Sequence, residues 1–136
     1  MTPAAANDRL LSGCHVLVVE DEMLVLMTIE SMLGQLGCES VTSAATSAQA
    51  IELTKSQAFD VAMLDLNLNG RPSYAVADAL DALGVPFVFS TGCSSDGMRD
   101  DYRDRPVLRK PYGSNQMVSV LGGLLANPVA LPAMSP

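Results

Sequence analysis

Carboxylates crowd two short segments of this sequence. VLVVEDE (16–22) ends in Glu20, Asp21 and Glu22, and DLNLNG (65–70) opens with Asp65; a hydroxyl, Thr91, stands in FVFSTG (87–92) and an ammonium, Lys110, in RKP (109–111). Brought into one cleft, the acids need compensation, because two charges about 4 Å apart repel by roughly 4 kcal/mol at an effective dielectric of about 20. A divalent cation supplies it. Mg2+ takes a few carboxylates and leaves its other octahedral positions to carbonyl, water and phosphate oxygens. Beside an aspartate, a hydroxyl and an ammonium, it equips a site for phosphoryl transfer, in which the carboxylate attacks phosphorus and cations hold the equatorial oxygens. The implied intermediate is an aspartyl phosphate.

Taken alone, DLNLNG admits a different reading. An EF-hand loop wants oxygen ligands at positions 1, 3 and 5, glycine at position 6 and a bidentate glutamate at position 12. Asp65, Asn67, Asn69 and Gly70 meet the first four demands, but position 12 falls on Val76, which offers no side-chain oxygen. The stretch before it, FDVAML, is apolar and β-branched and reads as a buried strand, whereas an EF-hand loop is entered from a helix. Asp65 is therefore expected at a strand end.

The elements that position these groups alternate along the chain. Apolar runs predict strands at 14–19, 39–43, 60–64, 86–90 and 106–109. Between them, helical spacing of Leu26, Ile29, Leu33 and Leu36 predicts a helix closed by Gly37, followed by helices over 47–57 (N-cap Thr46 or Ser47), 74–83 (stopped by Gly84) and 114–126. A short helix is expected within 91–105. Five strands alternating with about five helices describe a parallel sheet covered on both faces. Functional groups in such sheets collect outside the carboxyl ends of the strands. Glu20, Asp21, Asp65, Ser90, Thr91, Lys110 and Pro111 all follow strands, so the fold predicts their convergence.

Composition narrows the classes. At 136 residues the chain fits a single domain, and 49% hydrophobic with 17% charged residues indicates a packed core, aliphatic for want of tryptophan. Fifteen acidic against eight basic residues give a net charge of −7, which repels nucleic-acid backbones. Three cysteines, Cys14, Cys38 and Cys93, without a CxxC pair or histidine cluster, suggest reduced thiols in a cytoplasm rather than disulfides or zinc. No apolar run approaches the roughly 20 residues of a membrane span. Residues 1–11 read as a flexible arm, 12–126 as the domain and 127–136, with three prolines, as a tail.

VLVVEDE, DVAMLDLNLNG, FVFSTG and RKP, in this order and spacing, resemble the receiver domain of bacterial two-component response regulators over roughly residues 12 to 126. The resemblance implies a flavodoxin-like, doubly wound α/β fold with five parallel strands in the order 2-1-3-4-5. It implies Asp65 as phosphoacceptor, Glu20 and Asp21 as the acidic pair for Mg2+, and the Asn67 backbone carbonyl as a further ligand. Thr91 is the hydroxyl that follows the phosphoryl group, Lys110 the ammonium that grips it, and the bond to Pro111 is expected to be cis. A histidine kinase is the implied donor, and a downstream protein or phosphotransfer protein the receiver of the signal. The protein is expected as a monomer or weak dimer that promotes only its own phosphorylation and dephosphorylation, without an appended DNA-binding domain.

Two departures are notable. Glu20 stands where the family more often has aspartate, and Val107 takes the position of the aromatic that swings inward on phosphorylation. Together with PFVFSTG they resemble the FATGUY subgroup of stand-alone receivers, with Ser90 in place of alanine and Cys93 after the glycine, which points to a kinase of the HWE or a related type. The plainer readings stay beside these: Asp21 and Glu22 as a helix start, Lys110 as a solvated charge, His15 as a structural histidine, and the eight methionines, among them Met23, Met27 and Met32, as core fillers. Val25 and Met32 are also candidates for an outward face that docks the kinase. Two other functions compete: an aspartyl-phosphate phosphohydrolase, which would want an acid where Asn67 stands, and a pseudo-receiver that binds partners without phosphorylation.

Overall fold

The computed structural model describes residues 10–92 and 102–126. Five parallel strands, β1 (His15–Val19), β2 (Ser40–Ala44), β3 (Val61–Asp65), β6 (Phe87–Thr91) and β7 (Val107–Arg109), form one sheet in the order β2-β1-β3-β6-β7. With two short strands, β4 (Asn67–Leu68) and β5 (Arg71–Pro72), set aside, that is the expected 2-1-3-4-5 order. Among the described residues four α-helices accompany them: α1 (Met23–Gln35), α2 (Ser47–Ser56), α3 (Tyr74–Ala82) and α4 (Ser114–Ala126). Among the described residues no helix is long and apolar enough to cross a membrane.

Strand alternation divides the core in two. Leu17, Val19, Ala62, Leu64, Phe87 and Phe89 face α2 and α3, where Ala50, Val76, Ala77 and Leu80 meet them. Val16, Val18, Val61, Met63, Val88 and Leu108 face α1 and α4, against Ile29, Leu33, Met117 and Leu121. Each large side chain buried this way contributes roughly 1.5–3 kcal/mol. Covered on both sides, the central strands need apolar residues throughout, which is why they read as continuous runs.

Local chemistry sets the ends of the elements. Thr46 caps α2 by accepting from the Gln49 N–H at 3.1 Å, while the Gln49 side chain reaches back to the Ala45 N–H at 2.9 Å, a close variant of the capping box. Gly37, at φ 88°, takes the left-handed conformation that closes α1, and the Cys38 N–H returns to the Leu33 carbonyl. The strands begin one residue later than expected. Pro86 and Pro106 illustrate why: without an N–H they cannot donate to the ladder.

One element is added and one expectation needs correction. The segment after Asp65 forms the antiparallel hairpin of β4 and β5, turned by Asn69 (φ 54°) and Gly70 (φ 83°). An Asn-Gly pair with both φ positive is the preferred two-residue hairpin turn. Leu11 does not belong to an arm: it is wholly buried, packs with Leu36 and α4, and its N–H donates to the Leu36 carbonyl at 2.9 Å, so the domain starts before residue 12. Residues 1–9 of the arm, the short helix as far as it falls on 93–101, Cys93 and the tail at 127–136 lie outside the described residues.

Candidate functional site

In-register pairing brings the strand ends to one edge. Val19 lies beside Leu64, Asp65 beside Ser90, and Thr91 beside Arg109. The residues that follow inherit that alignment. Lys110 Nζ stands 2.9 Å from Glu20 Oε1 and 3.2 Å from Asp65 Oδ2, and one carboxylate oxygen from each of Glu20, Asp21 and Asp65 falls within a 4.8 Å cluster. Glu20 and Asp65 are only 2% and 6% exposed. The lysine thus bridges two buried acids that are 45 residues apart in sequence.

Backbone amides hold the acids in place. Asp65 Oδ1 accepts from the Asn67 N–H at 3.0 Å, Asp21 Oδ2 from the Asn69 N–H at 3.0 Å, and Glu20 Oε2 from the Glu22 N–H at 3.2 Å. The hairpin therefore ties Asp65 to Asp21. Asn67 Oδ1 accepts from the Gly70 N–H, which fixes the turn, and the buried Ser73 hydroxyl donates to the Asp65 carbonyl at 2.6 Å. Thr91 is buried at the end of β6, its carbonyl accepting from the Lys110 N–H at 2.8 Å, and the Lys110–Pro111 peptide is cis.

One ammonium pairs with two of the three clustered carboxylates, so the cluster is short of positive charge. Burial pushes the Glu20 carboxyl up to about 7 and the Asp65 charge adds to the rise, against the opposing hydrogen bond from Lys110. For Lys110 burial works against the charge, yet the hydrogen bond to Glu20 and the Asp65 carboxylate outweigh it and raise its pKa. The ammonium keeps its proton and Glu20 absorbs the conflict. In the metal-free protein this makes stability depend on pH: Glu20 holds more proton folded than unfolded between its ordinary 4.5 and about 7, so stability falls as pH rises through that window. Glu20→Gln is expected to flatten that slope and raise metal-free stability near neutral pH by about 1 kcal/mol, measured by urea unfolding in chelator across that range. The donor set fits a hard cation, with oxygen ligands on a small buried cluster.

The chain matches the response regulator receiver domain over residues 16–121. It belongs to that family. A solved receiver similar to it is SdrG from Sphingomonas melonis Fr1, 40% identical, with a TM-score of 0.75 over 85% of this chain and 98% of that one. The fold is also shared with the receiver domain of sensor histidine kinase PA1611 from Pseudomonas aeruginosa PAO1, solved with a magnesium ion in its active-site cleft; it is 23% identical, with a TM-score of 0.70 over 85% of this chain and 99% of that one. The transcriptional regulatory protein YvrH of Bacillus subtilis is 25% identical over 105 residues, 71% of this chain and 44% of YvrH. This receiver spans less than half the length of the curated relatives it matches.

Beside the acidic edge of the receiver runs an apolar groove of about 300 Å3, with Val25, Ile29 and Met32 of α1 on one side and Pro111 and Tyr112 on the other; Lys110 lines its end. Val25 and Met32 are half-buried walls of that groove, not an outward face. The outward residues are Met23, Leu24 and Met27, exposed by 68%, 79% and 56%, so Met23 and Met27 are not core fillers. Val107 pairs with Phe89 in register, on a face where Tyr74, Phe87, Phe89 and Tyr102 form the aromatic cluster. His15 lies at the opposite end of β1 from Glu20, its ring against Phe59 and its Nε2 2.8 Å from Thr42 Oγ1, a structural setting.

Ser90 lies beside Asp65 as its strand-end position predicts, whereas sequence reasoning missed Asn69, Ser73 and Tyr112 as neighbours of the site. For Asn69 the Asn-Gly dipeptide was the available signal.

Proposed function

We propose that Asp65 is the phosphoacceptor of this receiver, taking a phosphoryl group from the phosphohistidine of a kinase. The observation that carries the reading is Lys110 held between two buried carboxylates at the sheet edge. An Asp65 oxygen forms the new bond to phosphorus as the bond to the donor nitrogen breaks. Lys110 then grips a phosphoryl oxygen, and the Thr91 hydroxyl follows the group. Glu20, Asp21, Asp65 and the Asn67 carbonyl would hold Mg2+. When bound, the ion supplies neutralising charge for the phosphoryl oxygens. The magnesium in the PA1611 cleft is in keeping with a cation at this edge of the fold.

The likeness of PFVFSTG to the FATGUY subgroup favours an HWE-type or related kinase as the donor. We place it in the cytoplasm, where the Cys14 and Cys38 thiols, free in the fold, stay reduced. The kinase docks along the groove beside α1, and Leu24, at the rim, is its most accessible apolar contact. Leu24→Glu is therefore expected to slow transfer from a phosphorylated kinase at least about tenfold, as loss of an interface anchor does, while uptake from acetyl phosphate stays unchanged. Equal slowing of both donors would rule out docking there. The phosphoacceptor reading itself is tested by weighing the protein after incubation with Mg2+ and acetyl phosphate.

A further inference from the structure

Ser73 stands at the start of α3, yet its hydroxyl does not cap the helix. A serine in that place normally accepts from an amide of the first turn, and here its side chain makes no such bond. Instead Ser73 Oγ donates to the Asp65 carbonyl at 2.6 Å, near the short end of the range for a hydroxyl donor. The main chain begins the helix regardless, the Ser73 carbonyl accepting from the Val76 N–H at 3.0 Å. Ser73 has no exposed surface, so the hydroxyl is committed to the protein interior.

Ser73 also closes the hairpin that carries the amides of the site. Asn67 pairs with Pro72 across β4 and β5, and one step nearer the sheet the Ser73 N–H donates to the Leu66 carbonyl at 2.9 Å. The hydroxyl adds a second tie one residue deeper, on Asp65 itself. From that root the hairpin sends the Asn67 N–H to Asp65 Oδ1 and the Asn69 N–H to Asp21 Oδ2, each at 3.0 Å. Two of the three clustered carboxylates are therefore oriented by one hairpin, and Ser73 anchors its base with both main chain and side chain.

We propose that Ser73 is a positioning residue for phosphoryl uptake: its hydroxyl fixes the root of the hairpin against the backbone of Asp65, so that the Asn67 and Asn69 amides keep the Asp65 and Asp21 carboxylates aimed into the site. The inference rests on the phosphoacceptor reading and gives Ser73 no contact with the phosphoryl group. An attacking carboxylate loses rate when its orientation is loosened, because alignment of the reacting atoms is part of the barrier. Supporting hydrogen bonds are what hold such a group in line. The forgone cap marks the role, since a serine serving only the helix would turn its hydroxyl to the first-turn amides.

The test uses the full chain as wild type, Ser73→Ala, Ser73→Cys, which keeps the bulk but donates weakly, and Val76→Ala, which thins the buried face of the same helix without touching the tie. Urea unfolding ranks the stabilities, amide hydrogen exchange without metal reads the Asn67 and Asn69 N–H groups, and incubation with acetyl phosphate and Mg2+ reads the rate of uptake. We expect both Ser73 variants to slow uptake about tenfold and to speed exchange at the two amides at least about fivefold. Val76→Ala, although at least as destabilised, is expected to keep wild-type uptake and wild-type exchange there. Wild-type uptake in the folded Ser73 variants would overturn the positioning role, as would equal slowing in Val76→Ala, which would make stability alone the cause. No uptake by the wild type would overturn the phosphoacceptor reading and this inference with it.

Discussion

Replacing Lys110 with alanine is expected to slow phosphoryl uptake by about 10²–10³-fold, the loss that follows removal of one preorganised donor from a developing charge. The same substitution is expected to destabilise the metal-free protein by about 2 kcal/mol. Removing one partner of a fully buried ion pair costs roughly 3–5 kcal/mol; the figure here is reduced because the lysine side chain keeps 19% of its exposure and water can reach the gap. Glu20 and Asp65, nearly without solvent, would then face each other with no positive charge between them. Added Mg2+ should restore most of the lost stability, since the cation supplies the missing charge, but should not restore the rate, since the ammonium's own contact with the phosphoryl group is gone. Urea unfolding with chelator and with Mg2+, beside uptake kinetics from acetyl phosphate, separates the two effects. Equal stability of variant and wild type in chelator would mean that Lys110 does not compensate the acids.

Much of this was legible in the chain because each functional side chain sits directly after an apolar run. Glu20, Asp65, Thr91 and Lys110 could be placed at one edge from strand order alone, since the carboxyl ends of parallel strands lie together. What the pattern could not give was register and burial. Nothing in the spacing shows that Lys110 Nζ reaches Glu20 and Asp65 at once, or that the Asn69 N–H holds Asp21 from the far side of a hairpin. The hairpin itself had a signal in Asn69-Gly70, obscured by the fit of the same residues to a calcium loop. Met23 and Met27 were misplaced for a different reason: methionine suits a core and an exposed apolar rim equally well, so residue type cannot choose between them. Leu11 was lost to the low-complexity appearance of the residues before it. Tyr112 carried no signal, because its place on the groove wall is a property of three-dimensional packing.

Asp65→Asn is expected to abolish phosphoryl uptake. The amide nitrogen it introduces replaces a carboxylate oxygen that must attack phosphorus, while keeping the size of the side chain and the Asn67 N–H contact to the remaining oxygen. Because a negative charge is removed beside Glu20, the variant should be at least as stable as the wild type without metal, so loss of uptake cannot be blamed on unfolding. The most direct test of the central claim is intact mass spectrometry of wild type and Asp65→Asn after incubation with acetyl phosphate, with and without Mg2+. The account predicts one added phosphoryl group in the wild type with Mg2+, and none in the wild type without it or in the variant under either condition. Equal phosphorylation of Asp65→Asn, or none in a wild type shown to bind Mg2+, would contradict it.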